Sequence, residues 1–382
     1  MSAELNIMDD RLIGRYFQAA ALGYVFSSLP ANLQSKILEA LTKRSVALST
    51  SEIEGLINTI SNSLAEICKI KEFSISLYTA GNERDGSILS ELSPSNPLKG
   101  KKSNELHCDW LISISQDVIS NSNKYVKIPM ILRHYVFSKY RDAGEVSKAR
   151  INALSTYIAV AGAFISIVAH IERGGSVYEL YVVPEASIES IRGSGRLYTL
   201  LHLKALNRTL KDTIINIIGN ESLSYELSVL LAIAIHVYNA AILTAKMPSL
   251  VGLYDLFERF RLISIVPGRR PRRRPMIAWE RPLTLTHLYR ELEERRAIGI
   301  LSALHDCIRN STKYAERVER IQEVTAQCVT SLFAHVETGS LDPLLLCVSG
   351  AQRIVDKFRE LGISSAERDF VALIKEVSRL AR

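Results

Sequence analysis

Five arginines stand within six positions, Arg269, Arg270, Arg272, Arg273 and Arg274, and three prolines, Pro267, Pro271 and Pro275, frame them. Proline fixes φ and removes an amide donor, so the stretch stays extended and cannot wind into a helix. Five guanidinium groups at this spacing repel one another and cannot be buried unpaired. They need solvent or an external anion, and the planar guanidinium fork fits phosphate oxygens two at a time. The chemistry expected is sequence-independent phosphate contact, against the alternative of a solvated linker between two domains.

Two further basic groups stand earlier in the chain. Lys99, Lys101 and Lys102 fall in a Pro- and Gly-containing stretch, 90–104, that reads as an exposed loop able to reach a nucleic-acid backbone or groove. Between 124 and 150, Lys124, Lys127, Arg133, Lys139, Arg141, Lys148 and Arg150 face only Asp142 and Glu145, with Tyr125, His134, Tyr135, Phe137 and Tyr140 interleaved. Such a segment can stack bases and hold phosphates. On a helix the same aromatics would instead point into the core, and both readings stay open here.

Catalytic patterns are incomplete. His305-Asp306, with His287 upstream, matches the dipeptide of metal-dependent phosphohydrolases but lacks their further His and Asp ligands. His107-Cys108-Asp109 likewise stands alone. Gly193-Ser194-Gly195 reads as a helix-entry turn, without a phosphate-loop lysine or a full dinucleotide fingerprint. There is no Gly-x-Ser-x-Gly elbow and no pair of catalytic carboxylates. We therefore expect no catalytic residue, no metal site and no cofactor.

The elements that must carry the basic groups follow from periodicity. Residues 1 to about 70 read as helices, with a start near Ser51 and acids Glu52 and Glu54 in the first turn. Phe73, Ile75 and Leu77 alternate as a strand, followed by a polar turn over Gly81–Gly86; Trp110, Ile112 and Ile114 read as another strand. A helix is expected from Ala149 to about Val160. Strands over Phe164–Glu172 and Val177–Val183 then flank Arg173-Gly174-Gly175-Ser176, a hairpin signature. Helical spacing returns over 196–246 and from Thr284 to Arg382.

The 382 residues, 47% hydrophobic with net charge +7, suffice for two domains and favour a polyanionic partner. Five scattered cysteines without a CxxC pair exclude a zinc ribbon and read as free thiols of a reducing cytosol. The uncharged stretches after Arg150 and after Glu226 carry too many polar groups for lipid, and no basic leader precedes an apolar run, so a cytoplasmic protein without membrane contact is expected. The fold class is α+β, mainly α, with a small antiparallel sheet in the first half and a helical C-terminal bundle. The expected division is 1–265 as an α+β domain, 266–282 as a basic Pro/Arg loop and 283–382 as the bundle.

This order of parts resembles the large subunit of archaeal type I-A CRISPR interference complexes, the Cascade large subunit. The resemblance rests on the N-terminal helices, the Phe73–Thr79 strand with its turn, the hairpin ending in Val177–Pro184, and a helical bundle after a basic loop. It implies a non-catalytic binder of guide RNA and target DNA in antiviral defence, working with the other subunits of the complex, a helicase–nuclease among them. In such a complex protein reads a short duplex motif and base pairing reads the rest. The alternatives are a metal-dependent nuclease using His305 and Asp306, or a helical scaffold with an inert linker.

Overall fold

The computed structural model describes residues 2–70, 74–80, 83–93, 105–133, 149–173, 175–202, 213–215, 217, 220, 222–244, 259–266, 276–283 and 285–382. They form a mainly α, α+β protein. The chain divides into two compact units, Met1–His202 with Arg259–Pro282, and Leu203–Glu258 with Leu283–Arg382. This is not a break at 265 with a separate loop segment after it. Residues 260–266 and 276–282 are strands of the first unit's sheet, and residues 225–244 pack with the C-terminal helices.

The first unit begins with β1 (Ser2–Asn6), α1 (Ile13–Val25), α2 (Ala31–Lys43), β2 (Ser45–Ser49) and α3 (Thr50–Ile70). Short pieces follow: β3 (Ser74–Ser76), β4 (Thr79–Ala80), β5 (Glu83–Arg84), α4 (Asp85–Leu89), β6 (Glu105–His107), α5 (Cys108–Ser113), α6 (Ser115–Ser120), β7 (Tyr125–Lys127) and β8 (Arg150–Asn152). Then come α7 (Ala153–Ser166), β9 (Ile167–Arg173), β10 (Ser176–Pro184), α8 (Ile188–Leu201), and later β11 (Phe260–Val266) and β12 (Met276–Pro282).

Its centre is the crossing of α1 and α7. Every residue of α7 is buried, so the uncharged run after Arg150 is a core helix, apolar all round. Asn152 starts it, its side-chain oxygen accepting from the Ser155 amide at 3.0 Å. The helices meet backbone to backbone: a Cβ on Gly162 would lie 1.7 Å from the Phe17 carbonyl oxygen. A similar approach joins α1 to α8, where a Cβ on Gly23 would lie 1.8 Å from Ser194 Oγ. Gly193-Ser194-Gly195 is therefore mid-helix packing surface and not a helix-entry turn.

Against these helices lies an antiparallel sheet of order β12-β11-β10-β9. The β9–β10 hairpin turns where the Gly-Gly pair stands, with Arg173 opposite Ser176. Phe17 of α1 touches Tyr181 of β10, ring centroids 5.1 Å apart. Two expectations are corrected. Residues 1–70 are not all helical: β1 pairs with β2 along its whole length, with Ala3 and Leu5 inward and Ser2 and Glu4 outward. Trp110 and Ile114 lie one helical turn apart and are both buried, so the segment folds as α5 and not as a strand. The start of α3 is a reciprocal cap. Glu52 accepts from the Ser49 amide at 2.8 Å and gives its own amide to Ser49 Oγ, and the Lys36 ammonium at 2.6 Å holds its carboxyl down to about 2.

The second unit holds α9 (Tyr225–Thr244), α10 (Leu285–Glu294), α11 (Ile300–Lys313), α12 (Ile321–Thr338), α13 (Asp342–Glu360) and α14 (Ser364–Leu380). The last four form the expected bundle, closed by a run of rings, Tyr314 to Phe358 at 5.4 Å and Phe358 to Phe370 at 5.7 Å. Tyr289 of α10 donates to the Ala234 carbonyl of α9, tying residues before and after the first unit's last two strands. Among the described residues no helix is long and apolar enough to cross a membrane.

Four of the five cysteines are not free thiols. Cys68 pairs with Cys108, joining the end of α3 to the start of α5, and Cys328 with Cys347 joins α12 to α13; Cys307 alone is unpaired. Distance in sequence misled here, because helix packing brings the Cα atoms to 5.9 Å and 4.6 Å. Each bridge restricts the unfolded chain and is worth roughly 3–4 kcal/mol. Alkylation of the denatured protein without reductant is expected to label Cys307 only, and reductant should lower the melting temperature. Labelling of all five cysteines would overturn the pairing.

Candidate nucleic-acid interface

Arg269, Arg270, Arg272, Arg273 and Arg274 lie outside the described residues, but the chain on both sides of them is placed. Val266 and Met276 are cross-strand partners at the end of the β11–β12 ladder. Residues 267–275 therefore join two neighbouring strands of one sheet, with ends about 5 Å apart, and do not connect the two units. Two acids near this ladder are committed away from that end. Glu280 and Glu185 both hold Arg261, at 2.6 Å and 3.2 Å, toward the opposite end of the ladder.

The lysines Lys99, Lys101 and Lys102 are also outside the described residues, as are Phe73, Gly81 and residues 134–148. Register places the return of the lysine stretch. It re-enters at Glu105, the partner of Ser76, and the Ser76 amide donates to Glu179 Oε1 at 2.9 Å. Glu179 is in turn the partner of Ile265, one residue from the end of β11. Thus the end of the lysine stretch, the start of the arginine segment and the Arg173–Ser176 turn all gather at one end of the sheet.

Glu179 is a residue that patterning did not single out. It is only 2% exposed, accepts the Tyr181 hydroxyl at 2.8 Å and faces His170 Nε2 at 3.8 Å. Its carboxylate stitches β3 to β10, and burial beside it drives the Tyr181 phenol well above its ordinary value. The only signal was an acid inside an apolar strand, Tyr178-Glu179-Leu180-Tyr181, where an unsupported charge would be costly.

Lys124 and Lys127 are described. Lys124 donates from Nζ to the Glu91 carbonyl at 2.9 Å, so it fastens the chain just before the lysine stretch. Lys127 is half-buried on β7 and stands directly opposite Arg150 on β8. Behind that ribbon, Asp85 fixes the flanks of two basic segments. It is fully buried and accepts from the amides of Met130 at 2.5 Å, Ile131 at 3.1 Å and Tyr78 at 3.3 Å. Burial pushes its carboxyl up to about 6 against the pull of those three donors.

The phosphohydrolase pair does not assemble. Asp306 is held by Arg309 at 3.2 Å, His305 is half-buried and burial keeps its imidazole below the ordinary range, and His287 is exposed on α10. Among the described residues no group of three His, Cys, Asp or Glu side chains could hold a metal ion. Cys108 of His107-Cys108-Asp109 is committed to its bridge. Compared with family models, with curated proteins and with solved structures, the chain matches none.

Proposed function

We propose that the first unit binds nucleic acid through the arginine segment 267–275. In this reading the protein is a non-catalytic, cytoplasmic subunit of an archaeal type I-A CRISPR interference complex. It helps to recognise target DNA and to hold its strands beside the guide RNA, in company with the other subunits and the helicase–nuclease. One observation carries the reading: the Val266–Met276 register, which anchors both ends of a five-arginine segment on one sheet. A linker between domains gains nothing from such anchoring. A phosphate-binding hairpin does, because fixed ends reduce the ordering cost on binding. Gathering the lysine stretch at the same sheet end adds a second cationic arm. The two disulfides agree with an archaeal setting, since intracellular proteins of hyperthermophiles are the exception to thiol reduction in the cytosol.

Replacing Arg272, Arg273 and Arg274 by alanine should weaken binding to any sequence alike. The log–log salt dependence should flatten by about three units, one per lost phosphate contact. Stability should change by less than about 0.5 kcal/mol, as for other exposed positions. Salt titrations on single-stranded and duplex DNA, with a thermal melt of each protein, test this. An unchanged slope would reduce the segment to an inert connection.

A further inference from the structure

One corner of the second unit's bundle is apolar where a surface is ordinarily polar. Leu341 is 42% exposed, Leu345 60% and Leu346 58%, and together they cover the start of α13. The inward side of the same turns is already filled, since Leu344, Cys347 and Ala351 are buried. The positions that follow Leu345 along the outer face at helical spacing are Ser349, Gln352 and Asp356, all exposed. That face is therefore ordinary surface from Ser349 onward and leucine before it. From Thr338 to Gln352 the one charged residue is Asp342, in a chain of which 23% is charged. Neighbouring exposed apolar side chains without charge mark a contact surface. The corner is also held in place. The Cys328–Cys347 bridge fastens α13 to α12, Gly339 turns the chain at φ 70°, and His335 Nδ1 donates to the Ser340 carbonyl at 2.8 Å. A patch fixed in advance loses little freedom on contact.

We infer that this leucine corner is where two copies of the chain meet about a two-fold axis. The occupant follows from charge. A two-fold axis sets the centre of a patch against its own copy, so a patch that carries several like charges there repels itself. Leu341, Leu345 and Leu346 meet that condition, and a second copy brings the same uncharged leucines to them. No lysine or arginine stands between Thr338 and Gln352 to hold the phosphates of a nucleic acid. Three half-exposed leucines fall short of the roughly 800 Å² per partner of a lasting interface, so the contact is weak and depends on concentration. The inference concerns the second unit and does not depend on nucleic-acid binding by the first.

The test is sedimentation of the full chain, free of nucleic acid, over concentrations from about 1 μM to about 1 mM. Wild type should pass from one chain to two as concentration rises, and stop there. Leu345→Glu should raise the dissociation constant at least about tenfold, because it sets two carboxylates against each other at the axis. Leu345→Lys should do the same, and an equimolar mixture of the two variants should associate at least as well as wild type. A thermal melt of each variant should match wild type, since Leu345 points to solvent and not into the bundle. A variant that melts early is replaced by Leu346→Glu, which probes the same patch. A wild type that stays single throughout, or association that either charged variant leaves unchanged, would overturn the inference. So would growth beyond two chains, which a closed two-fold contact forbids, or a mixture no better than each variant alone.

Discussion

Gly162→Ala should cost the first unit about 3 kcal/mol or more and remove most of its thermal transition at 37 °C. The added Cβ would sit 1.7 Å from the Phe17 carbonyl oxygen and 2.5 Å from its carbonyl carbon. Both atoms are backbone in the middle of α1, so no side chain can swing aside. The two helices must part, and α1 also carries Phe17 against Tyr181 and Gly23 against Ser194. Alanine's better helix propensity returns only about 1 kcal/mol. Gly55→Ala is the matched control. Gly55 is an exposed position inside α3 with nothing within 4 Å of its missing Cβ, so the same substitution there should stabilise by about 0.5–1 kcal/mol. Urea unfolding of the pair decides it, and equal effects at the two glycines would show that α1 and α7 do not cross as described.

The second large effect is expected at Asp85. Asp85→Ala leaves three buried amides, those of Tyr78, Met130 and Ile131, without their acceptor, at a cost of about 3–5 kcal/mol. The pH dependence is equally diagnostic. A carboxyl raised from 3.8 to about 6 binds its proton more tightly in the folded state than in the unfolded chain. Its contribution to stability is complete below about pH 4 and is lost as pH rises through 6, a change of about 3 kcal/mol. Asp85→Asn cannot titrate. The stability gap between wild type and this variant should therefore be larger at pH 4 than at pH 7.5. Denaturant unfolding at the two pH values measures it, and parallel curves would mean that Asp85 is ionised throughout.

Where the sequence could be read, the pattern was local. Arg173-Gly174-Gly175-Ser176 between two β-branched runs predicted the β9–β10 hairpin, and the amphipathic spacing after Thr284 predicted the C-terminal helices. What escaped was non-local or hidden by stronger local signals. The β1 strand is five residues long and pairs with Ser45–Ser49, far along the chain, so nothing near it marks a sheet. Phe260–Val266 and Met276–Pro282 are paired strands, but the prolines and arginines between them make the stretch read as a loop. Asp85 could not be recognised, since its three donors come from two segments that only the fold brings together. Of the candidate site, the residue types were legible, and the register that brings Val266 and Met276 together at one end of the sheet was not.

The interruption of the first unit by residues 203–258 has a price during synthesis. When β10 leaves the ribosome, its partner β11 is still about 75 residues from being made. At ordinary translation speeds of about 5–20 residues per second, that edge waits for several seconds. Val182 and Val183 line it, and an unpaired apolar strand is a template for pairing with a neighbouring nascent chain. The helices of the second unit meet a mirror-image delay, since α9 is finished before any of the helices it packs on. A nascent chain of this protein therefore emerges in two half-built pieces, and neither can close before the arginine segment itself has been translated.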